Sequence, residues 1–118
     1  MHNVACLAEC QGLNTTTKRA DETLTLEEFR QDVKTYMMDP SVHGYLVASY
    51  NRRVLGQTGT GHFSPLAGYH SATDQVLILD TARFKYSPHW TPLSTLYQAM
   101  QDIDPDTDLP RGYLLLRK

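Results

Sequence analysis

The stretch from Gly56 to Asp80 constrains this chain more than any other. It begins Gly56-Gln57-Thr58-Gly59-Thr60-Gly61-His62-Phe63-Ser64-Pro65, with three glycines in six positions. Glycine at that density lets a backbone approach a ligand or a neighbouring strand closely. The order Gly-x-x-Gly-x-Gly, with no Gly-Lys-Ser/Thr after it, is neither a dinucleotide fingerprint nor a phosphate loop. Beyond it, Leu66 to Tyr69 and Gln75 to Asp80 read as two strands joined by the turn-prone run His70-Ser71-Ala72-Thr73-Asp74. His62 lies before the first strand and Asp80 ends the second, so antiparallel pairing returns both to one end of a sheet. A histidine held by a carboxylate is a base for nucleophilic catalysis, because the acid fixes the imidazole tautomer and stabilises the imidazolium. Such a base needs a Cys or Ser partner. The competing reading is accident, since 5 His and 13 acids in one chain make some pair across a hairpin easy to obtain. Asp80 closes the apolar run Val76 to Leu79, and an acid at the rim of a buried strand must be paired or solvated.

The segments around this hairpin mix helices and strands, an α+β pattern. Val4 to Gln11 reads as a helix with Cys6 and Cys10 four residues apart on one face. Two thiols so placed are a candidate soft-metal pair, but a closed zinc site takes four ligands and small buried cysteines are common in cores. Core packing is therefore the favoured reading of both. Gly12 and Asn14-Thr15-Thr16-Thr17-Lys18-Arg19 read as an exposed loop. A helix follows, capped by Thr23 or Thr25, with Glu27 and Glu28 in its first turn and a stripe of Leu26, Phe29, Val33, Tyr36 and Met37. Asp39-Pro40 stops it. His43 to Tyr50 reads as a strand, Asn51-Arg52-Arg53 as a charged turn, and Val54-Leu55 as the start of a partner strand. Trp90-Thr91-Pro92 opens another helix with Leu93, Leu96, Tyr97 and Met100 on one face. Asp102 to Asp108 reads as a solvated acidic loop; Pro105, Pro110 and the missing turn glycine argue against an EF-hand. Gly112 to Leu116 reads as a last buried strand, and His89 as a partly buried, hydrogen-bonded side chain.

Composition excludes several classes of function. A chain of 118 residues has room for one domain, and 41% hydrophobic with 20% charged residues is an ordinary globular balance. The formal charge of −2 offers no positive field for a nucleic acid or an anionic membrane. No apolar run approaches the ~18 residues of a membrane span, and Met1-His2-Asn3 does not open like a signal peptide. The expectation is a soluble, cytoplasmic protein with no nucleic-acid or membrane partner.

The run Gln57 to Pro65, together with Leu77-Ile78-Leu79-Asp80-Thr81-Ala82-Arg83-Phe84-Lys85-Tyr86-Ser87-Pro88-His89-Trp90, closely resembles phytochelatin synthases. The resemblance extends from Val4-Ala5-Cys6-Leu7-Ala8-Glu9-Cys10 to Pro110-Arg111-Gly112-Tyr113. It implies a papain-like cysteine transferase fold, an antiparallel β-rich lobe with flanking helices, and a Cys, His, Asp triad. The implied reaction takes glutathione as acyl donor, releases glycine, and passes γ-glutamylcysteine from a thioester to glutathione or a growing phytochelatin. Heavy-metal ions (cadmium, zinc, copper) are implied as activators, at least partly as glutathione thiolates, with no organic cofactor. Glutathione and phytochelatin peptides are the implied partners, with a homodimer open for the full-length protein. By the same resemblance His62 is the base and Asp80 its orienting acid, and Arg83 lies near the acyl-donor site. Asp104 and Arg111 resemble the holders of the γ-glutamyl amine and carboxylate, and Gly61 brings its backbone against the acyl chain. Taken without the resemblance, Asp104 reads as a turn residue before Pro105, Arg111 as a solvated strand start, and Gly61 as a strand-packing glycine. Cys6 and Cys10 resemble cysteines associated with metal sensing.

The chain also departs from the family pattern. The family's nucleophilic Cys and oxyanion-hole Gln belong to a segment resembling Pro-x-Tyr-Cys-Gly-x-Ala-Ser, which this sequence does not contain. Neither Cys6 nor Cys10 occupies that context. The expectation is the His and Asp part of a catalytic domain, residues 1–118, from a partial sequence or truncated gene model, with apolar sheet surface left uncovered. The alternatives are a short glutathione or metal-thiolate binding protein without a nucleophile, and a hydrolase of glutathione conjugates.

Overall fold

The computed structural model describes residues 1–59, 61–80 and 86–118. The chain runs through helix α1 (His2–Cys10), strand β1 (Asn14–Arg19), helix α2 (Leu26–Met38), strand β2 (Gly44–Asn51) and a short 3₁₀ helix, Arg52–Leu55. Strands β3 (Gly61–His70), β4 (Gln75–Ile78) and β5 (His89–Pro92) follow, then helix α3 (Leu93–Gln101). Strands β6 (Ile103–Asp104), β7 (Leu109–Pro110) and β8 (Gly112–Arg117) complete an α+β fold.

Six strands form one antiparallel sheet in the order β1-β8-β2-β3-β4-β5. Opposite residues of a ladder share a face, and the sheet is sorted accordingly. Leu46, Tyr50, Leu66, Val76, Ile78 and Tyr113 point to the side that packs against Phe29 and Val33 of α2 and Leu93, Leu96 and Met100 of α3. Helix α1 lies on the other face, where Ala5 meets Leu114 and Leu116. Beyond the reach of α1 that second face is incompletely covered: Trp90 is 49% and Tyr45 54% exposed, while Phe63, Pro65 and Leu77 are half-buried.

The amphipathic stripe of α2 is in place, with Phe29 and Val33 fully buried, and its cap is Thr25, whose hydroxyl accepts from the Glu28 amide at 3.1 Å. Several boundaries differ from the sequence reading. Asn14 to Arg19 is no loop but a strand paired along its whole length with β8, from Asn14 opposite Arg117 to Arg19 opposite Gly112. Its threonines are good strand formers, and an edge strand needs no apolar face toward solvent. Val54 and Leu55 start no partner strand; they end the 3₁₀ helix, which Asn51 caps and Gly56 terminates in the left-handed region at φ 76°. The partner of β2 is β3, which begins at Gly61, so His62 lies inside a strand opposite Tyr50 and not before one. The strand β5 before α3 was not expected at all.

No helix among the described residues is long and apolar enough to cross a membrane.

Candidate active site

Strand β2 ends, and β3 and β8 begin, at one end of the sheet, and β4 runs back toward the same end. Asp80 lies two residues past β4, so the ladder delivers it to the start of β3. There the His62 Nε2 stands 3.2 Å from the Asp80 Oδ1. The Asp80 side chain has no exposed surface and that of His62 is 20% exposed, so a buried acid faces a ring open on one side. A buried carboxylate must be paired, and the pairing is complete. Arg52 donates from NH1 to Oδ2 at 2.6 Å and from NH2 to Oδ1 at 2.7 Å, with its own side chain only 7% exposed. The same guanidinium donates to Gln57 Oε1 at 2.9 Å and stacks 4.9 Å from the Tyr86 ring centre. Tyr86 in turn accepts from the Thr58 amide at 2.8 Å through its hydroxyl.

Across the ladder the Tyr50 ring meets the His62 ring edge-on, centres 6.0 Å apart. Tyr50 shares a hydrogen bond with Ser64 at 3.0 Å, both being fully buried. Burial first, and the Arg52 charge second, push the His62 pKa below its ordinary value, while Asp80 pulls it up. Desolvation disfavours the imidazolium, so the ring is held in its neutral, proton-accepting form.

Beside His62 opens a cleft of about 200 Å³, lined among others by Gly61, Phe63, Asp104 and Arg111. Arg111 is buried, which rules out a solvated strand start; it donates to Asp102 Oδ2 at 2.9 Å and to the Ile103 carbonyl at 3.2 Å. Asn51 donates to the same Asp102 oxygen at 2.7 Å. The acidic segment is thus not simply solvated. Strands β6 and β7 fold it into a small ladder that sets Asp104 at the cleft wall. Gly61 is there for closeness: a Cβ on it would stand 2.9 Å from Arg111 NH2.

The structure therefore gathers His62, Asp80, Gly61, Asp104 and Arg111 at one end of the sheet. Arg83 lies outside the described residues. Cys6 and Cys10 are elsewhere. Both are exposed on α1, which overturns core packing for them. α1 stands over β1 and β8, and β1 is three strands from β3, roughly 14 Å at the usual strand spacing. It also lies on the face opposite to His62, so neither thiol adjoins that ring. Among the described residues no group of three or more His, Cys, Asp or Glu side chains is gathered to hold a metal. His89 is half-buried, with Nδ1 3.0 Å from the Ser87 carbonyl and Nε2 3.4 Å from Gln57.

Sequence reading missed Arg52, Asn51 and Asp102. Arg52 reads from the sequence as part of a charged turn, yet it is buried against Asp80. Only the position of Asn51-Arg52-Arg53 at the end of a strand hinted at it.

Fold and site together define an α+β domain with a histidine against a buried carboxylate at a sheet end, beside a cleft walled by Asp104, Asp106 and the buried Arg111. The sequence profile described as Phytochelatin synthase matches residues 1–113. A Lotus japonicus glutathione gamma-glutamylcysteinyltransferase 3 is 48% identical over 115 residues, which is 98% of this chain and 23% of the relative. The Triticum aestivum glutathione gamma-glutamylcysteinyltransferase 1 is 47% identical over 98% of this chain and 22% of its own length. A Schizosaccharomyces pombe glutathione gamma-glutamylcysteinyltransferase is 43% identical over 98% of this chain and 27% of its own length. The chain belongs to the phytochelatin synthase family, and it spans about a quarter of the length of these relatives.

Proposed function

We propose that this chain is the His and Asp part of a papain-like, cytoplasmic glutathione γ-glutamylcysteinyltransferase whose nucleophilic cysteine is supplied by a segment outside these 118 residues. The observation that supports this reading most is the 3.2 Å contact between His62 Nε2 and the buried Asp80. With Nε2 engaged by the acid, Nδ1 is the nitrogen that takes the thiol proton as the thiolate attacks the Cys–Gly carbonyl of glutathione. The imidazolium then gives that proton to the departing glycine amine, leaving γ-glutamylcysteine as a thioester. In the second half-reaction His62 accepts a proton from the incoming amine of glutathione or phytochelatin, and returns it to the departing cysteine sulfur. Asp80 stays ionised throughout and stabilises each imidazolium.

The γ-glutamyl head carries an ammonium and a carboxylate, and the cleft beside His62 offers Asp104 for the first and Arg111 for the second. An acid and a forked cation in partly desolvated surroundings suit that head better than either would in water. Gly61 leaves room for the acyl chain, and Arg83 is assigned near the donor site. Soft metals enter as thiolates of the substrate, while Cys6 and Cys10, one turn apart on α1 and away from the cleft, are a separate pair of thiols for such a metal.

The test is made on both forms of the protein. The 118-residue chain alone should make no phytochelatin from glutathione and cadmium; turnover above a His62→Ala control would refute the need for an external nucleophile. A longer reading frame carrying this chain should be active, and the same His62→Ala change should abolish that activity. An upstream stop codon in the native transcript would favour the second reading, a glutathione-binding module using the same cleft.

A further inference from the structure

We propose that Arg52 is a positioning residue of this site: it locks the Asp80 carboxylate in one plane and thereby fixes the ring orientation and the Nε2–H tautomer of His62. The inference rests on the reading of His62 as the base. Arg52 does not line the cleft beside His62, so its action on a substrate there passes through Asp80.

The geometry that supports it is a shared oxygen. Asp80 Oδ1 accepts from Arg52 NH2 at 2.7 Å and faces His62 Nε2 at 3.2 Å, while Oδ2 accepts from Arg52 NH1 at 2.6 Å. Two parallel N–H···O bonds from a planar fork prevent rotation of the carboxylate about its last torsion. The oxygen offered to His62 is then always the same one, in the same direction. Arg52 itself is held on three sides, by Asp80, by Gln57 and by the Tyr86 ring, and it begins the 3₁₀ helix directly after β2. The charge acts as well. An acid with no exposed surface and no cation beside it would draw a proton strongly toward itself or toward His62; the guanidinium satisfies the acid and opposes protonation of the ring. Among the described residues the titratable groups around His62 are Asp80 and Arg52 behind it, Tyr50 across the ladder, and Asp104, Asp106 and Arg111 across the cleft.

The decisive measurement is a ¹⁵N and ¹H titration of the His62 ring in the 118-residue chain, with Arg52→Lys and Arg52→Met beside the wild type. The wild type should show one neutral tautomer with the proton on Nε2. Arg52→Lys keeps a cation but not the fork, so the tautomer signature should blur toward a mixture while the titration midpoint stays close to wild type. Arg52→Met removes the cation that opposes protonation of the ring, so the midpoint should rise. If Arg52→Met does not fold, Arg52→Lys decides: wild-type nitrogen shifts in that variant overturn the proposal, as does an unmoved midpoint in a folded Arg52→Met. In the longer, active protein Arg52→Lys should lower kcat about 10- to 100-fold with little change in KM, by analogy with other residues that orient a catalytic group through a second one. Loss of activity in His62→Ala tests the reading beneath, independently of the ring titration: if His62→Ala retains activity while the titrations behave as stated, the catalytic reading fails and the positioning role stands.

Discussion

Replacing Asp80 by Asn should destabilise the fold far more than its size suggests. The substitution keeps the volume and removes one negative charge from a pair in which neither side chain exceeds 7% exposure. Arg52 is then left as a buried cation without a counter-charge. Breaking a buried pair from one side costs about 3–5 kcal/mol, against less than about 1 kcal/mol for an exposed pair. For a chain of 118 residues, 1 kcal/mol corresponds to about 4 °C in Tm, so the expected fall is roughly 12–20 °C. Glu27→Gln is the control, since Glu27 meets Arg30 on the surface of α2 with its side chain 61% exposed; it should move Tm by no more than about 2 °C. The double change Arg52→Met with Asp80→Leu removes both charges, and should recover most of the loss because no charge remains unsolvated. Thermal unfolding followed by circular dichroism, with urea titration as a second measure, reads all four proteins. A fall of less than about 1 kcal/mol in Asp80→Asn would mean that the carboxylate is hydrated and the desolvation argument wrong. A double variant as unstable as the single one would show that packing, not charge, was lost.

Three further outcomes follow from the same structure. His62 should titrate below 6.5, its ordinary value. The unfolded chain then binds the proton more readily, so stability should rise with pH between the folded pKa and 6.5 and be lost as pH falls through that window. Comparing urea unfolding of wild type and His62→Gln from pH 5 to 7 isolates this slope; an identical slope in both would refute it. Phe29→Ala empties a fully buried site against Tyr97 and Tyr113 and should cost about 3–5 kcal/mol in urea unfolding. Gly61→Ala places a methyl 2.9 Å from Arg111 NH2, the end of a side chain that can shift, so calorimetry should show weakened glutathione binding with Tm almost unchanged.

Much of this architecture could be read from the residues, and what could not has a common cause. Helix α2 was legible because Leu26, Phe29, Val33, Tyr36 and Met37 repeat at helical steps behind a threonine cap, and the β3–β4 hairpin because a polar turn separates two apolar runs. Both signals are local. Strand β1 was not legible, since Asn-Thr-Thr-Thr-Lys-Arg becomes a strand only when Gly112 to Arg117, nearly a hundred residues later, pairs with it. The pairing of Arg52 with Asp80 was hidden for the same reason: 28 residues separate them, and only the return of β4 to the end of β2 brings them together. The His62 and Asp80 contact could be anticipated because one hairpin suffices to make it. The Arg111 and Asp102 pair lies close in sequence, yet an acidic run before a proline looks solvated until the β6–β7 ladder turns it inward.

The placement of β8 between β1 and β2 has a consequence for how the molecule is made. During synthesis α1 and β1 leave the ribosome long before the strand that joins them to β2 exists. The β3–β4 hairpin can close at once, but β1 must wait without a partner while β2 stays an open edge on the side β8 will fill. Closure of this part of the sheet therefore waits for the apolar strand Tyr113 to Leu116 to insert into a slot between two waiting edges. A chain stopped short at Pro110 would lack a central strand and not a tail, and its two unpaired edges would be open to strands from neighbouring molecules.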